Sequence, residues 1–262
     1  MTINSSRYNS AFYVANEIVA SKSANALAPL MVGSLAPGSI VDVGCGTGTW
    51  LRAFQENGVT DILGIDGEWA RRGTLLISPD RFLEMRLDSP PYEAIGRRFD
   101  LATSLEVAEH LPPEAAPAFI EFLTSIADVV LFSAAIPFQG GTNHINEQWP
   151  DYWYRLFEER GYECIDGLRP TIWANEQIEW YYRQNLLIYF RNNRKNELVQ
   201  RLPSGRIGLP HSLVHPGVYL PRQYTVGSRV NRLAAKVGAL VPASLKNAAK
   251  RALRHLPQRG MK

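Results

Sequence analysis

The sequence predicts an α/β protein built on a parallel, doubly wound, Rossmann-like sheet with helices on both faces. Three observations lead there: short apolar or β-branched runs alternate with stretches of helical spacing, a glycine-rich turn follows the first run directly, and acidic residues close successive runs.

The opening segment, SAFYVANEIVASKSANALAPLMVGSL, has the spacing of one or two amphipathic helices, and residues 1–35 are expected to form an N-terminal helical lid. Strands are expected at SIVDVG (39–44), DILGID (61–66), FLEMRL (82–87), FDLATSL (99–105), VVLFSAA (129–135) and NLLIYF (185–190). Between them TGTWLRAFQENG, PPEAAPAFIEFLTSIA and WPDYWYRLFEERG have helical spacing and end near Gly or polar residues. Residues 36–196 would make the main domain, and 197–262 a linker and basic helical tail. Aromatic residues crowd the last third of that domain: Trp149, Tyr152, Trp153, Tyr154, Trp173, Trp180, Tyr181 and Tyr182. Their periodicity assigns most to the core, and Gln148, Gln184 and Asn185 among them either meet an acceptor or satisfy buried backbone groups.

Charge divides the chain. No acidic residue follows Glu197, whereas residues 198–262 hold twelve Lys and Arg, leaving 16 of the 28 basic residues to set against all 25 acidic ones. No apolar run spans a bilayer, the start MTINSSRYNS lacks the features of a secretory signal, and Cys45 and Cys164 are too few for a disulfide framework. A cytoplasmic location is expected.

Ligands of doubly wound sheets sit beyond the carboxyl ends of the strands. In VDVGCGTGTW, Gly44, Gly46 and Gly48 let the backbone turn tightly into a helix N-terminus and approach a ligand closely. Asp42 lies inside the first strand, where a carboxylate needs partners. Asp66, closing the second strand, can accept both hydroxyls of a ribose, and Asp88, after the third, can meet an adenine amino group. Taken singly, each is equally a cap or turn aspartate. A dinucleotide dehydrogenase would need G-x-G-x-x-G, and here the third glycine comes after only one intervening residue.

IVDVGCGTGTWL, LGIDG and FDLATSLEVAEHL together resemble the class I S-adenosylmethionine-dependent methyltransferases across roughly residues 36–192. The resemblance implies a seven-stranded sheet with an antiparallel last strand at NLLIYFRN, preceded by YECIDGL. It further implies S-adenosyl-L-methionine over Gly44, Cys45, Gly46, Thr47 and Gly48, its ribose on Asp66 beside Gly67, its adenine near Leu87 and Asp88, and Leu105 and Glu106 at the pocket's edge.

SLEVAEHLPPE puts Glu106, Glu109 and His110 just past the fourth strand. A helix starting near Glu106 would align all three on one face by offsets of three and four. Pro137, Gly140 and Gly141 shape a loop after the fifth strand that presents His144 at the same sheet edge. Two carboxylates and two imidazoles suit Mn²⁺, Co²⁺, Fe²⁺ or Zn²⁺, and Mg²⁺ if water completes the shell. Equally, a metal-free site would use His110 or His144 as general base, with Glu106 or Glu109 orienting the ring. A purely structural first turn is the bland alternative. The E-x-x-E-H stretch with a later His resembles the metal-dependent 2′-O-methyltransferases of small RNAs, although HINEQW carries one inserted residue. A related stretch occurs in ubiquinone-pathway O-methyltransferases, so it indicates oxygen methylation better than it indicates RNA. The wider stretch resembles bacterial methyltransferases of glycan and secondary-metabolite pathways.

The leading expectation is therefore an O-methyltransferase acting on a hydroxyl of a sugar, glycan or secondary metabolite, with a divalent metal as possible helper. Two other readings stand beside it: an RNA ribose methyltransferase, and a non-catalytic binding module. The tail, with Pro242 between two basic helical stretches, suits an anionic membrane surface at the inner face, RNA phosphates, or packing on an acidic surface of the body or a partner.

Overall fold

The computed structural model of the protein describes residues 10–72, 74–91, 95–202 and 205–218. The chain divides into two compact units, Met1–His215 and Pro216–Lys262, and all elements named here belong to the first. The basic helical stretches expected after Ser228 lie outside the described residues.

Among the described residues eight strands form one sheet: β1 (Ser39–Val43), β2 (Asp61–Asp66), β3 (Phe82–Glu84), β4 (Leu101–Leu105), β5 (Val129–Ser133), β6 (Tyr162–Asp166), β7 (Leu187–Arg191) and β8 (Arg206–Ile207). Their order is β3-β2-β1-β4-β5-β7-β6-β8. β1 to β5 pair in parallel, and β7 runs antiparallel to both β5 and β6. Both strands expected at the end of the sheet are thus present with the expected antiparallel partner. One strand more than expected closes the edge, where the two-residue β8 pairs antiparallel with β6.

Helices cover both faces because the strands alternate. Ile40, Leu101 and Leu131 face a layer holding α1 (Ser10–Leu35), α2 (Thr49–Glu56) and α6 (Trp180–Asn185), while Val41, Ala102 and Val130 face α3 (Ala116–Ile126) and α4 (Pro150–Glu158). The opening segment is one helix, α1, with Pro29 exposed inside it and Ala24, Leu27, Ala28, Met31 and Leu35 buried along one side. Proline near the start of α3 and of α4 fits first-turn positions, where an N–H would find no partner within the helix. Most of the aromatic cluster is core or partly buried, with Trp153 and Tyr182 nearly inaccessible and Trp149 exposed. Two short helices, α5 (Arg169–Ile172) and α7 (Lys195–Arg201), complete the described set. No helix among the described residues is long and apolar enough to cross a membrane.

The chain runs outward from β1 to β3 and returns to β4 on the other side of β1. That reversal leaves a crevice at the carboxyl ends of β1 and β4, the place where this architecture binds ligands.

Candidate active site

At the end of β1 the turn carries positive φ at Gly44 (87°), Gly46 (55°) and Gly48 (91°). A side chain at Gly44 would also collide with Val107, its Cβ lying 2.4 Å from a Val107 methyl, so glycine is required there twice over. The turn is tied to β2: the N–H groups of Gly44 and Cys45 donate to the Ile65 carbonyl at 2.7 and 3.1 Å. Asp66 at the end of β2 accepts from the N–H of Gly46 and of Gly67, both at 2.7 Å. Burial raises its carboxyl, and these two bonds oppose the rise. The indole of Trp69 lies against Gly67, where a Cβ would come within 2.2 Å of the ring.

Asp42 is buried in β1. Thr103 Oγ1 donates to its Oδ1 at 2.6 Å, but its Oδ2 has no partner. Burial, opposed by the Thr103 bond and reinforced by the Asp66 charge, pushes its carboxyl up to about 7. Cys45 and Thr47 are buried in the same turn. β3 stops at Glu84, so Leu87 is buried beyond the strand, and Asp88 is held by Arg86 through bonds of 3.1 and 2.6 Å that lower its carboxyl. These residues fit a nucleoside-bearing cofactor: a glycine turn open at Gly46, a carboxylate fixed at the strand end with lone pairs to spare, and an aromatic face beside it.

The segment after β4 differs from the expected helix. Glu106 has φ +56°, and only a 3₁₀ turn, Ala108–His110, follows. The prolines explain this: Leu111 precedes Pro112 and is extended, and Pro112 itself is extended before Pro113. The common face of a helix therefore does not gather the three residues. The loop after β5 does part of that work, since the N–H groups of Ile145 and Asn146 donate to the Glu109 carbonyl at 2.9 and 3.0 Å.

Glu109, His110 and His144 come together, each offering a donor atom within 4.8 Å of the others. Glu109 is fully buried and neither carboxylate oxygen has a hydrogen-bond partner. Burial, and then the charge of Glu106, raise its carboxyl well above the usual range. The two imidazoles meet edge to face with ring centroids 4.8 Å apart. Burial, and then the neighbouring His144, lower His110 to about 4, so the ring is neutral at neutral pH. Each Nδ1 is engaged, His110 with the Asn143 carbonyl at 3.3 Å and His144 with Glu147 Oε1 at 3.1 Å. With Nδ1–H donating, each Nε2 keeps its lone pair for a ligand.

Glu106 stands outside that group of three. Asn185 Nδ2 donates to its Oε1 at 3.0 Å and Gln139 Nε2 to its Oε2 at 2.9 Å. Glu147 and Gln139, which the motif reading passes over, join the same polar group by bonding His144 and Glu106. Glu147 orients His144 and also takes the N–H of Phe138 and Gly140, each at 2.7 Å, which fixes the loop. The signal was local: a carboxylate three residues beyond a loop histidine.

A family described as a methyltransferase domain matches residues 19–165. No curated protein matches the chain. Among solved structures, magnesium protoporphyrin IX methyltransferase from Synechocystis PCC 6803 is similar at 18% identity over 68% of this chain and 87% of that one, with a TM-score of 0.47. Streptomyces venezuelae DesVI is similar at 13% identity over 73% and 100%, with a TM-score of 0.49. The methyltransferase domain of the bacterial protein CtHen1 is similar at 16% identity over 66% and 98%, with a TM-score of 0.45.

Proposed function

The chain belongs to the class I S-adenosylmethionine-dependent methyltransferase family, and from that premise we propose that it methylates the oxygen of a hydroxyl acceptor with a divalent cation held by Glu109, His110 and His144. One observation carries the reading: a fully buried carboxylate with two unpartnered oxygens stands beside two imidazoles whose Nδ1 atoms are already committed. Carboxylate oxygen with neutral imidazole nitrogen suits Mn²⁺, Fe²⁺, Co²⁺ or Zn²⁺.

S-adenosylmethionine, when bound, would supply a sulfonium methyl carbon; in-line attack of an acceptor oxygen on it would form the C–O bond as the C–S bond breaks and S-adenosylhomocysteine leaves. The glycine turn would admit the cofactor to backbone distance, Asp66 would accept from its ribose hydroxyls, and the free Oδ2 of Asp42 would suit a cationic amino group. Glu109, His110 and His144 would hold a cation that acidifies and orients the hydroxyl. The hydroxyl proton has to leave as the new C–O bond forms, and the carboxylate oxygen of Glu109 not turned to the cation would accept it. The loop that carries His144 also exposes Phe138 at 80% and Trp149 at 39%, apolar surfaces that support a ring-bearing acceptor such as a sugar or a secondary metabolite.

The test is methyl transfer to a panel of hydroxyl compounds after chelation and Mn²⁺ add-back. Chelation is expected to remove turnover and Mn²⁺ to restore it, while His110→Ala abolishes turnover and leaves S-adenosylmethionine affinity within a few-fold. Full turnover in the chelated enzyme would overturn the cation's role, and joint loss of cofactor binding and activity in His110→Ala would make that histidine structural.

A further inference from the structure

We propose that Gln139, Gln184 and Asn185 are positioning residues, forming a carboxamide chain of fixed polarity that delivers only hydrogen-bond donors to Glu106 and so holds its carboxylate beside the cation site. The inference rests on the cation-assisted reading and deepens it, by assigning roles to residues outside the group of Glu109, His110 and His144.

The polarity follows from groups that cannot reverse. A main-chain N–H can only donate. That of His215 donates to Gln184 at 2.8 Å, which makes the contacted atom the oxygen, Oε1. The other end of Gln184 is then its Nε2, and it donates to Gln139 Oε1 at 3.1 Å and Asn185 Oδ1 at 2.9 Å. A second main-chain group agrees, since the Ile136 N–H donates to the same Gln139 Oε1 at 3.2 Å. With their oxygens so engaged, Gln139 and Asn185 turn their nitrogens to Glu106 at 2.9 and 3.0 Å, and Asn185 Nδ2 also donates to Gln139 Oε1 at 2.9 Å. Glu106 accepts at both oxygens. Inside a protein, where all three amides are at least nine-tenths buried, reversing one of them would set oxygen against oxygen along the chain.

The frame around the chain is rigid. Arg169, fully buried, makes a bidentate pair with Asp166 and donates to the Gln184 carbonyl at 3.1 Å and the His211 carbonyl at 3.0 Å. It thereby places both Gln184 and the segment that ends at His215. Glu106 itself sits at φ +56°, and its N–H is taken by the Ser133 carbonyl at 2.9 Å, so its backbone has little freedom to compensate. The carboxylate thus held is near enough to Glu109 for its charge to act there. Supporting partners of this kind typically change metal affinity or activity about 10–100-fold when removed.

Gln184→Glu keeps the shape and inverts the polarity; Gln139→Met, at a less enclosed position, removes the donor to Glu106. Mn²⁺ affinity and kcat are measured for both between pH 6 and 8.5, with the folded state checked by circular dichroism. Gln184→Glu is expected to lose about 10–100-fold in Mn²⁺ affinity at the alkaline end, and less toward pH 6 as the new carboxyl takes up a proton and can donate again. Gln139→Met should lose a similar factor at every pH, with S-adenosylmethionine affinity unchanged. Wild-type Mn²⁺ affinity and kcat in either folded variant would overturn the proposal. If the wild-type protein binds no Mn²⁺, the cation reading fails separately. The amide chain is then judged on kcat alone, where the same losses support it and wild-type values refute it.

Discussion

Asp42 carries a consequence that needs no acceptor to be measured. Its folded-state carboxyl is raised from 3.8 to about 7 by burial, so the folded protein binds a proton that the unfolded chain releases. The stability this proton brings is complete below about pH 4 and is lost as pH rises to about 7, a change on the order of 4 kcal/mol. Asp42→Asn should erase that component. In urea unfolding at fixed pH, the variant's advantage over wild type is expected to grow from pH 4 to 7 and then level off; a difference independent of pH would contradict the assignment. Asp42 and Asp66 were legible in the sequence because a carboxylate inside or closing an apolar strand has few reasons to be there. Glu147 left only a local signal, a carboxylate three residues beyond a loop histidine, and Gln139 left none. Their roles depend on a loop folding back on β4, and nothing in residue type or spacing encodes which backbone groups will meet across that gap.

Elements were read more securely than their ends. The strands and the helices at 49–56, 116–126 and 150–158 follow from periodicity and from Gly and Pro punctuation. The spacing of Glu106, Glu109 and His110 fits a helix after β4, whereas Pro112 and Pro113 break the backbone there into two 3₁₀ turns, Ala108–His110 and Pro113–Ala115. The loop after β5 then supplies what the helix would have done. Its geometry makes Gly141 a sensitive position: a Cβ there would lie 2.1 Å from His144 Nε2. The collision is with the end of a side chain, so Gly141→Ala should leave the thermal midpoint within a few degrees while displacing the imidazole. Mn²⁺ affinity is expected to fall about 10-fold, in line with losses seen when a ligand's support is disturbed. An unchanged affinity would show that His144 is not a ligand.

The whole molecule places the site by topology. Reversal of strand order at β1 opens a crevice between β1 and β4, and the parallel neighbours β4 and β5 bring their following loops to one edge. The glycine turn and the acid-imidazole group thus draw on three separate segments, those holding Gly44, Glu109 with His110, and His144. This much could be argued from sequence, since strand order follows from the doubly wound pattern. The eighth strand could not, because a two-residue pairing leaves no periodic signal. The most direct measurement is equilibrium binding of Mn²⁺ to chelator-treated protein, followed by electron paramagnetic resonance, for wild type and Glu109→Gln. One site per chain in the wild type and its loss in the folded variant is the expected result; equal binding by both, or none by the wild type, would contradict a cation held by Glu109, His110 and His144.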